Sequence, residues 1–321
     1  MLYVIGTDEA GYGPNLGPLV ISATRWRLPT DELGTDLYQL LADTVTRDPP
    51  TGAASERVAV ADSKRLYTPH AGLANLEYGI GAALYALGEC PQTVGDVWSR
   101  LSPAAQVSLS ALPWPHSADD PFPRAADGCK LQRLGEVFRQ GLEAKQVGLD
   151  AIRCRTIFPE EFNQTVERLG NKAEALSRWT LQLVSDLFAG TGHHPVLIHC
   201  DKHGGRNRYA SLLQLLFPDQ LIQVRAEGRA CSWYRCQQGE RRIEARFVAR
   251  GEEFLPAALA SMASKYLREL AMSDLNAFWR QHLPHLQPTA GYPVDARRFM
   301  AEIETLRQQL GIPKRVLWRD R

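Results

Sequence analysis

Cysteine and uninterrupted apolar stretches are scarce in this chain, and charge of neither sign prevails. Six cysteines occur in 321 residues, at 90, 129, 154, 200, 231 and 236, with no C-x-x-C pair. That spacing argues against a disulfide framework or a zinc ribbon and for reduced, mostly buried thiols; a Cys231–Cys236 bridge is the pairing it leaves open. No apolar run reaches the length of a bilayer span, so no membrane partner is expected. The N-terminus enters a strand-like segment without a charged leader and cleavage site, which leads to the expectation of a cytoplasmic protein. A formal net charge of +1 excludes a polyelectrolyte trap for nucleic acid, and 44% apolar with 23% charged residues describes an ordinary globular chain of one large or two modest domains.

What is present is concentrated near residue 8. The apolar run Leu2–Ile5 reads as a buried strand and Leu19–Thr24 as a second, so the adjacent acids Asp8 and Glu9 stand at a strand end before a glycine-rich turn. Glycines at 11, 13 and 17 permit positive φ and leave the amides bare, which suits close approach of a phosphodiester. An ordinary hairpin with two solvated acids is the plainer reading of the same residues. Charge is also uneven: residues 201–250 hold ten Lys/Arg against five acids, enough for a basic groove or for a strand pair that protects its edge with arginines.

Further along, a turn or short helix is expected through 31–47, a polar loop at 49–52, and a strand Val58–Val60 ending near Asp62. Residues 88–128, rich in Pro, Gly and Ser, read as an irregular excursion. Strand-like alternation resumes at 151–157, followed by apolar positions at steps of three and four from Phe162 to Leu187, a long amphipathic helix with a kink at Gly170-Asn171. Val196–Cys200 is uncharged, as a central strand should be, and Asp201 stands at its end. A helix at 208–217, a strand at 221–224, a hairpin over 231–249 and helices from Leu255 and over 295–310 complete the pattern, a mixed α/β layer. His193, His194, His199 and His203 lie near Asp201 but straddle loop, strand and turn, so a zinc site is not expected from them.

Several separated segments resemble one family in its own order. Asp8-Glu9-Ala10-Gly11-Tyr12-Gly13-Pro14, with Gly17-Pro18-Leu19-Val20, is similar to the D-E-A-G-R-G-P and G-P-V-V opening of type 2 ribonucleases H, the ribonuclease HII family. Asp62-Ser63-Lys64-Arg65-Leu66 resembles its D-S-K-K-L segment, Val196–Asp201 its second carboxylate-bearing strand, residues 260–269 its A-S-I-x-A-K-V-x-R-D helix, and Gly291-Tyr292 its G-Y-G element. The resemblance implies a ribonuclease H-like mixed β-sheet flanked by α-helices, one catalytic domain over 1–321, with an insertion at 70–150 and a C-terminal helical extension at 273–321. It implies hydrolysis of the RNA strand of RNA–DNA hybrids, or of ribonucleotides embedded in DNA, with Mg²⁺ or Mn²⁺, two ions, held by Asp8, Glu9, Asp201 and Glu269 as catalytic and metal-binding residues. Hard cations take such oxygen ligands, and clustered carboxylates make sense mainly around a cation.

For the substrate, the resemblance points to Gly11, Tyr12, Gly13, Ser63, Lys64, Lys265 and Tyr292. Lys64 and Lys265 suit phosphates or structural ion pairs, and Tyr292 suits stacking on a sugar or simple packing. The chain also departs from the family pattern: Tyr12 replaces the G-R-G arginine, Glu269 replaces aspartate, Lys202 follows Asp201 where the family has glycine, and Val294-Asp295 follow Gly291-Tyr292-Pro293. These departures keep two other functions open. One is a structure-selective DNA nuclease on the same fold, and the other a non-catalytic nucleic-acid- or protein-binding module with 70–150 as its contact surface.

Overall fold

Alternation between two buried faces makes residues 2–10 the organising strand. The computed structural model describes residues 1–29, 33–49, 56–68 and 72–320; the expected loop over 49–52 falls almost wholly outside them, as do the first residues of the 31–47 and 70–150 segments. The strands are β1 (Leu2–Ala10), β2 (Leu19–Leu28), the short pair β3 (Val45–Thr46) and β4 (Val58–Ala59), β5 (Gly148–Ile157), β6 (Val196–Asp201), β7 (Gln223–Glu227), β8 (Cys231–Gln238) and β9 (Arg241–Val248). Seven of them form one sheet in the order β5-β2-β1-β6-β9-β8-β7. β5, β2 and β1 run antiparallel, β1, β6 and β9 parallel, and β7 and β8 return antiparallel at the other edge. The expected mixed sheet flanked by helices is therefore present.

The helices are α1 (Leu37–Leu40), α2 (Ser63–Leu66), α3 (Ala74–Ala86), α4 (Val94–Leu101), α5 (Ala105–Ser110), α6 (Gly128–Ala144), α7 (Pro159–Leu169), α8 (Lys172–Phe188), α9 (Ala210–Leu216), α10 (Leu255–His282), α11 (Pro293–Gln309) and α12 (Lys314–Leu317). Leu2 and Val4 turn to one face, where α3, α6 and α10 supply Ile80, Phe138, Leu259 and Met262. Ile5 turns to the other, against Trp179 and Val184 of α8. Gly6 admits the first turn of α10: a Cβ there would lie 2.5 Å from that of Pro256. Among the described residues no helix is long and apolar enough to cross a membrane.

Three expectations are corrected here. Residues 88–128 are not merely irregular, because Thr93 and Asp96 form a reciprocal capping box that starts α4 despite the surrounding Pro and Gly. The long helix over 162–187 is two helices. Gly170 takes the left-handed conformation that ends α7, and Asn171 accepts the amides of Ala173 and Glu174 to start α8. The strand placed at 221–224 runs instead from Gln223 to Glu227. All six cysteines are free.

The 70–150 segment is tied into the body. Buried Glu77 on α3 accepts the amides of Arg124, Ala125 and Ala126 at 2.7–2.8 Å and the Tyr266 hydroxyl of α10 at 3.0 Å. The boundary drawn at 273 falls inside α10, which continues to His282.

Candidate metal and nucleic-acid site

Parallel pairing of β1 with β6 sets Thr7 opposite Cys200, so the next residue of each strand, Asp8 and Asp201, emerges at the same end of the sheet. Crevices outside the carboxyl ends of parallel strands are where open α/β sheets bind ligands. Successive side chains alternate faces, which sends Asp8 toward α10 and Glu9 toward α8. One carboxylate oxygen from each of Asp8, Glu9 and Asp201 lies within 4.8 Å of the other two. Burial, and behind it the charge of Asp201, raises the Asp8 carboxyl from 3.8 to about 7; burial and the charges of Asp8 and Asp201 raise Glu9. A trio of partly buried oxygens held against their own repulsion fits a hard divalent cation.

The surrounding residues fix this geometry. Asp8 accepts the Glu9 amide at 2.8 Å, and its carbonyl receives the Ser264 hydroxyl at 3.1 Å. The hydroxyl of Ser261, one turn earlier on α10, offsets part of the rise of the Asp8 carboxyl and donates to the Ser63 hydroxyl at 3.1 Å. That contact seats α2, whose cap Asp62 accepts the Lys64 amide at 3.1 Å. The Lys64 ammonium is stabilised first by Asp62 and then by Asp8, Glu252 and Asp201. Asp201 accepts the amide of Gly251 at 3.0 Å, and a Cβ on Gly251 would stand 2.9 Å from the Asp201 backbone. That close turn carries Glu252 into the field of Asp201 and Asp62, and burial together with those charges raises its carboxyl.

Glu269 stands apart from the trio's mutual contacts. It accepts the Tyr67 hydroxyl at 2.7 Å and is paired with Lys265 one turn back, whose ammonium also lies 4.4 Å from the Tyr67 ring centre. Lys265 is thus engaged in an ion pair. Tyr292 is 60% exposed beside Gly13, on which a Cβ would be 4.0 Å from the Tyr292 ring. Gly11 is at φ +92, the left-handed region. Tyr12 leans on the turn after β6, where a Cβ on Gly204 would be 2.6 Å from its hydroxyl, and the Lys172 ammonium sits 4.8 Å from its ring centre.

Much of the basic excess of 201–250 is used internally. Arg235 and Arg246 both pair with buried Glu244, Arg206 pairs with Glu174, and Arg241 donates to the His194 carbonyl at 2.8 Å. Lys202, beside Asp201 in sequence, turns its ammonium to the Gly228 carbonyl and Asn207, at 2.5 and 2.7 Å. His199 and His203 are buried, and burial lowers both to about 3, so they are neutral core side chains.

Glu252 belongs to none of the sequence motifs above; its one local signal is Gly251-Glu252-Glu253, a tight acidic turn just before α10. Arg319, which with Arg268 grips the loop after β1, carries no local signal, whereas Arg268 is the arginine of the 260–269 segment.

No protein-family model matches the chain, and no curated protein does. Among solved structures it is similar to the ribonuclease HII of Archaeoglobus fulgidus, described in a complex with PCNA, at 14% identity over 99% of this chain and 94% of that one, with a TM-score of 0.43. It is similar to ribonuclease H2 of Pyrococcus horikoshii OT3 at 17% identity over 98% and 92%, TM-score 0.43. A third is Bst-RNase HIII, described in complex with Mn²⁺, at 13% identity over 99% of this chain and 66% of that one, TM-score 0.39.

Proposed function

We propose that the chain is a divergent relative of type 2 ribonucleases H, a divalent-metal-dependent endonuclease that hydrolyses the RNA strand of RNA–DNA hybrids or ribonucleotides embedded in DNA. The observation that carries this reading is the meeting of Asp8, Glu9 and Asp201 within 4.8 Å at the ends of adjacent parallel strands. The sequence resemblance around each of them supports it.

In this reading Asp8, Glu9 and Asp201 hold Mg²⁺ or Mn²⁺, two ions during turnover, with Glu269 completing the set once Lys265 turns to a phosphate. When bound, such ions supply an activated water, neutralise the scissile phosphate and stabilise the leaving oxygen. Ser261 orients the Asp8 carboxylate, and Lys64 offers a cation to the backbone of the nucleic acid. The amides around Gly11, Tyr12 and Gly13 face the ribose, and the exposed Tyr292 ring stacks on a sugar beside the cut. Ser63 holds α2 and α10 in register through its contact with Ser261.

A structure-selective DNA nuclease would use the same acids, and Tyr12 in place of a guanidinium favours that second reading. The two separate on substrate. An RNA–DNA hybrid and a branched DNA junction, each with Mg²⁺ and with Mn²⁺, should show cleavage of the hybrid alone; cleavage of the junction alone would transfer the assignment.

A further inference from the structure

Two arginines lie almost wholly inside the protein without a counter-ion. Arg319 is 1% exposed and Arg268 4% exposed, and neither forms an ion pair among the described residues. Both instead donate to main-chain carbonyls of the loop between β1 and β2. Arg319 Nη2 donates to the Gly11 carbonyl at 2.5 Å and to the Pro14 carbonyl. Arg268 donates to the Pro18 carbonyl through Nη1, and through Nη2 to the Leu16 carbonyl at 3.3 Å and to that of Ala290, outside the loop, at 3.0 Å. The Arg319 backbone is locked to the same loop: its amide donates to the Asn15 carbonyl at 2.7 Å and its carbonyl accepts the Asn15 side chain at 2.9 Å.

Burying two cations is costly, and although the Arg319 guanidinium lies 4.8 Å from the Phe162 ring centre, its Nε and Nη1 have no hydrogen-bond partner among the described residues. Apolar packing would stabilise the loop more cheaply. What a guanidinium adds is direction. In a trans peptide the carbonyl and the following N–H point opposite ways, and the Gly11–Tyr12 bond is trans. With the Gly11 carbonyl drawn inward to Arg319, the Tyr12 N–H is turned outward, two residues along the loop from Ala10 and the carboxylates of Asp8 and Glu9. Gly11 at φ +92 permits this turn, and a Cβ there would strike Arg268 Nη1 at 2.7 Å.

We propose that Arg319 is a positioning residue that fixes the Gly11–Pro14 loop with the Tyr12 amide presented to the ribose of a bound polynucleotide. The role rests on the nuclease reading for its substrate but not for its geometry. It joins the segment after α12 to the site, 308 residues away in sequence from Gly11.

The test uses the full chain with Arg319→Ala and Arg319→Lys, read by hydrogen exchange and by steady-state cleavage of a duplex carrying one ribonucleotide. Exchange across residues 11–16 should accelerate about tenfold or more in Arg319→Ala while β1 residues 2–8 and β6 keep wild-type protection. KM should rise about tenfold with kcat within about threefold, the pattern of lost binding rather than lost chemistry. Low-millimolar guanidinium should restore part of KM in Arg319→Ala. Arg319→Lys, which folds with the charge kept, should stay impaired because one ammonium lacks the fork that spans two carbonyls. Unchanged exchange at 11–16 in both variants would overturn the proposal, as would exchange rising equally through β1 and β6, the mark of a general stabiliser. If the loop loosens as expected but the wild type cleaves no ribonucleotide-containing duplex, the nuclease reading fails and the ribose role with it, while the loop-fixing role stands.

Discussion

Thr7 pairs with Cys200 across the parallel strands β1 and β6, and one residue further along each strand stand Asp8 and Asp201. Register alone thus makes neighbours of two acids 193 positions apart in sequence. If their closeness serves a cation, neutralising either one should remove function and relieve repulsion. Asp8→Asn and Asp201→Asn should each lower cleavage by on the order of a hundredfold or more. Each should leave the chelated protein as stable as wild type or about 1–2 kcal/mol more so. Paired cleavage assays and urea titrations with chelator check both halves; near-wild-type cleavage by either variant would remove these acids from the site.

The raised Asp8 carboxyl sets a pH dependence. Its affinity for a proton is higher in the fold, about 7 against 3.8, so its contribution to stability is fully present below about pH 4 and is lost as pH rises through about 7. Without metal, wild type should therefore lose up to about 4 kcal/mol relative to Asp8→Asn between pH 4 and 8. Mn²⁺ should reverse the trend, because binding requires the deprotonated ligands. A wild-type minus variant difference that stays flat with pH would contradict the burial of this charge.

Glu269 and Asp274 share α10 but differ in surroundings. Asp274 is buried and accepts the Ser117 amide at 3.2 Å and hydroxyl at 2.5 Å, a structural anchor. Glu269→Gln should lower cleavage about tenfold or more with stability little changed, whereas Asp274→Asn should cost about 1 kcal/mol of stability and leave cleavage near wild type. Denaturation curves and initial rates on the two variants decide this, and the reverse pattern would remove Glu269 from the metal set.

Tyr12 carries no charge, and the nearest cation above its ring is Lys172 at 4.8 Å. Tyr12→Arg should tighten binding to a hybrid and steepen the slope of log affinity against log salt by a fraction of about one unit. Fluorescence anisotropy across a salt series measures it; an unchanged slope would mean that this loop does not meet a phosphate.

The strands and acids that meet were legible because both are local signals: Leu2–Ile5 is a short apolar run with Asp8 three residues on, and Val196–Cys200 an uncharged run followed at once by Asp201. Gly170-Asn171 reads in sequence only as a kink in one helix, because the apolar steps of three and four run on across it, whereas Gly170 ends α7 and Asn171 caps α8. The capping box at Thr93 was hidden by Pro and Gly on either side. Glu77 carries no motif in the sequence, because its partners are the main-chain amides of 124–126, nearly fifty residues on. The cations of 201–250 look like a groove in sequence, yet Glu244 takes two of them because strand pairing sets Arg235 opposite it and Arg246 two residues on. Arg319 gave no sign at all, since its partners are carbonyls about 300 residues away and every residue has one.

The most direct measurement is cleavage of a DNA duplex carrying a single ribonucleotide, beside an all-DNA duplex of the same sequence, by wild type and Asp201→Asn in Mg²⁺ and in Mn²⁺. Wild type should cut only the ribonucleotide-containing strand, next to the ribose, and Asp201→Asn should cut neither duplex. Equal cleavage of the two duplexes, or full activity in Asp201→Asn, would contradict a ribose-reading metal nuclease.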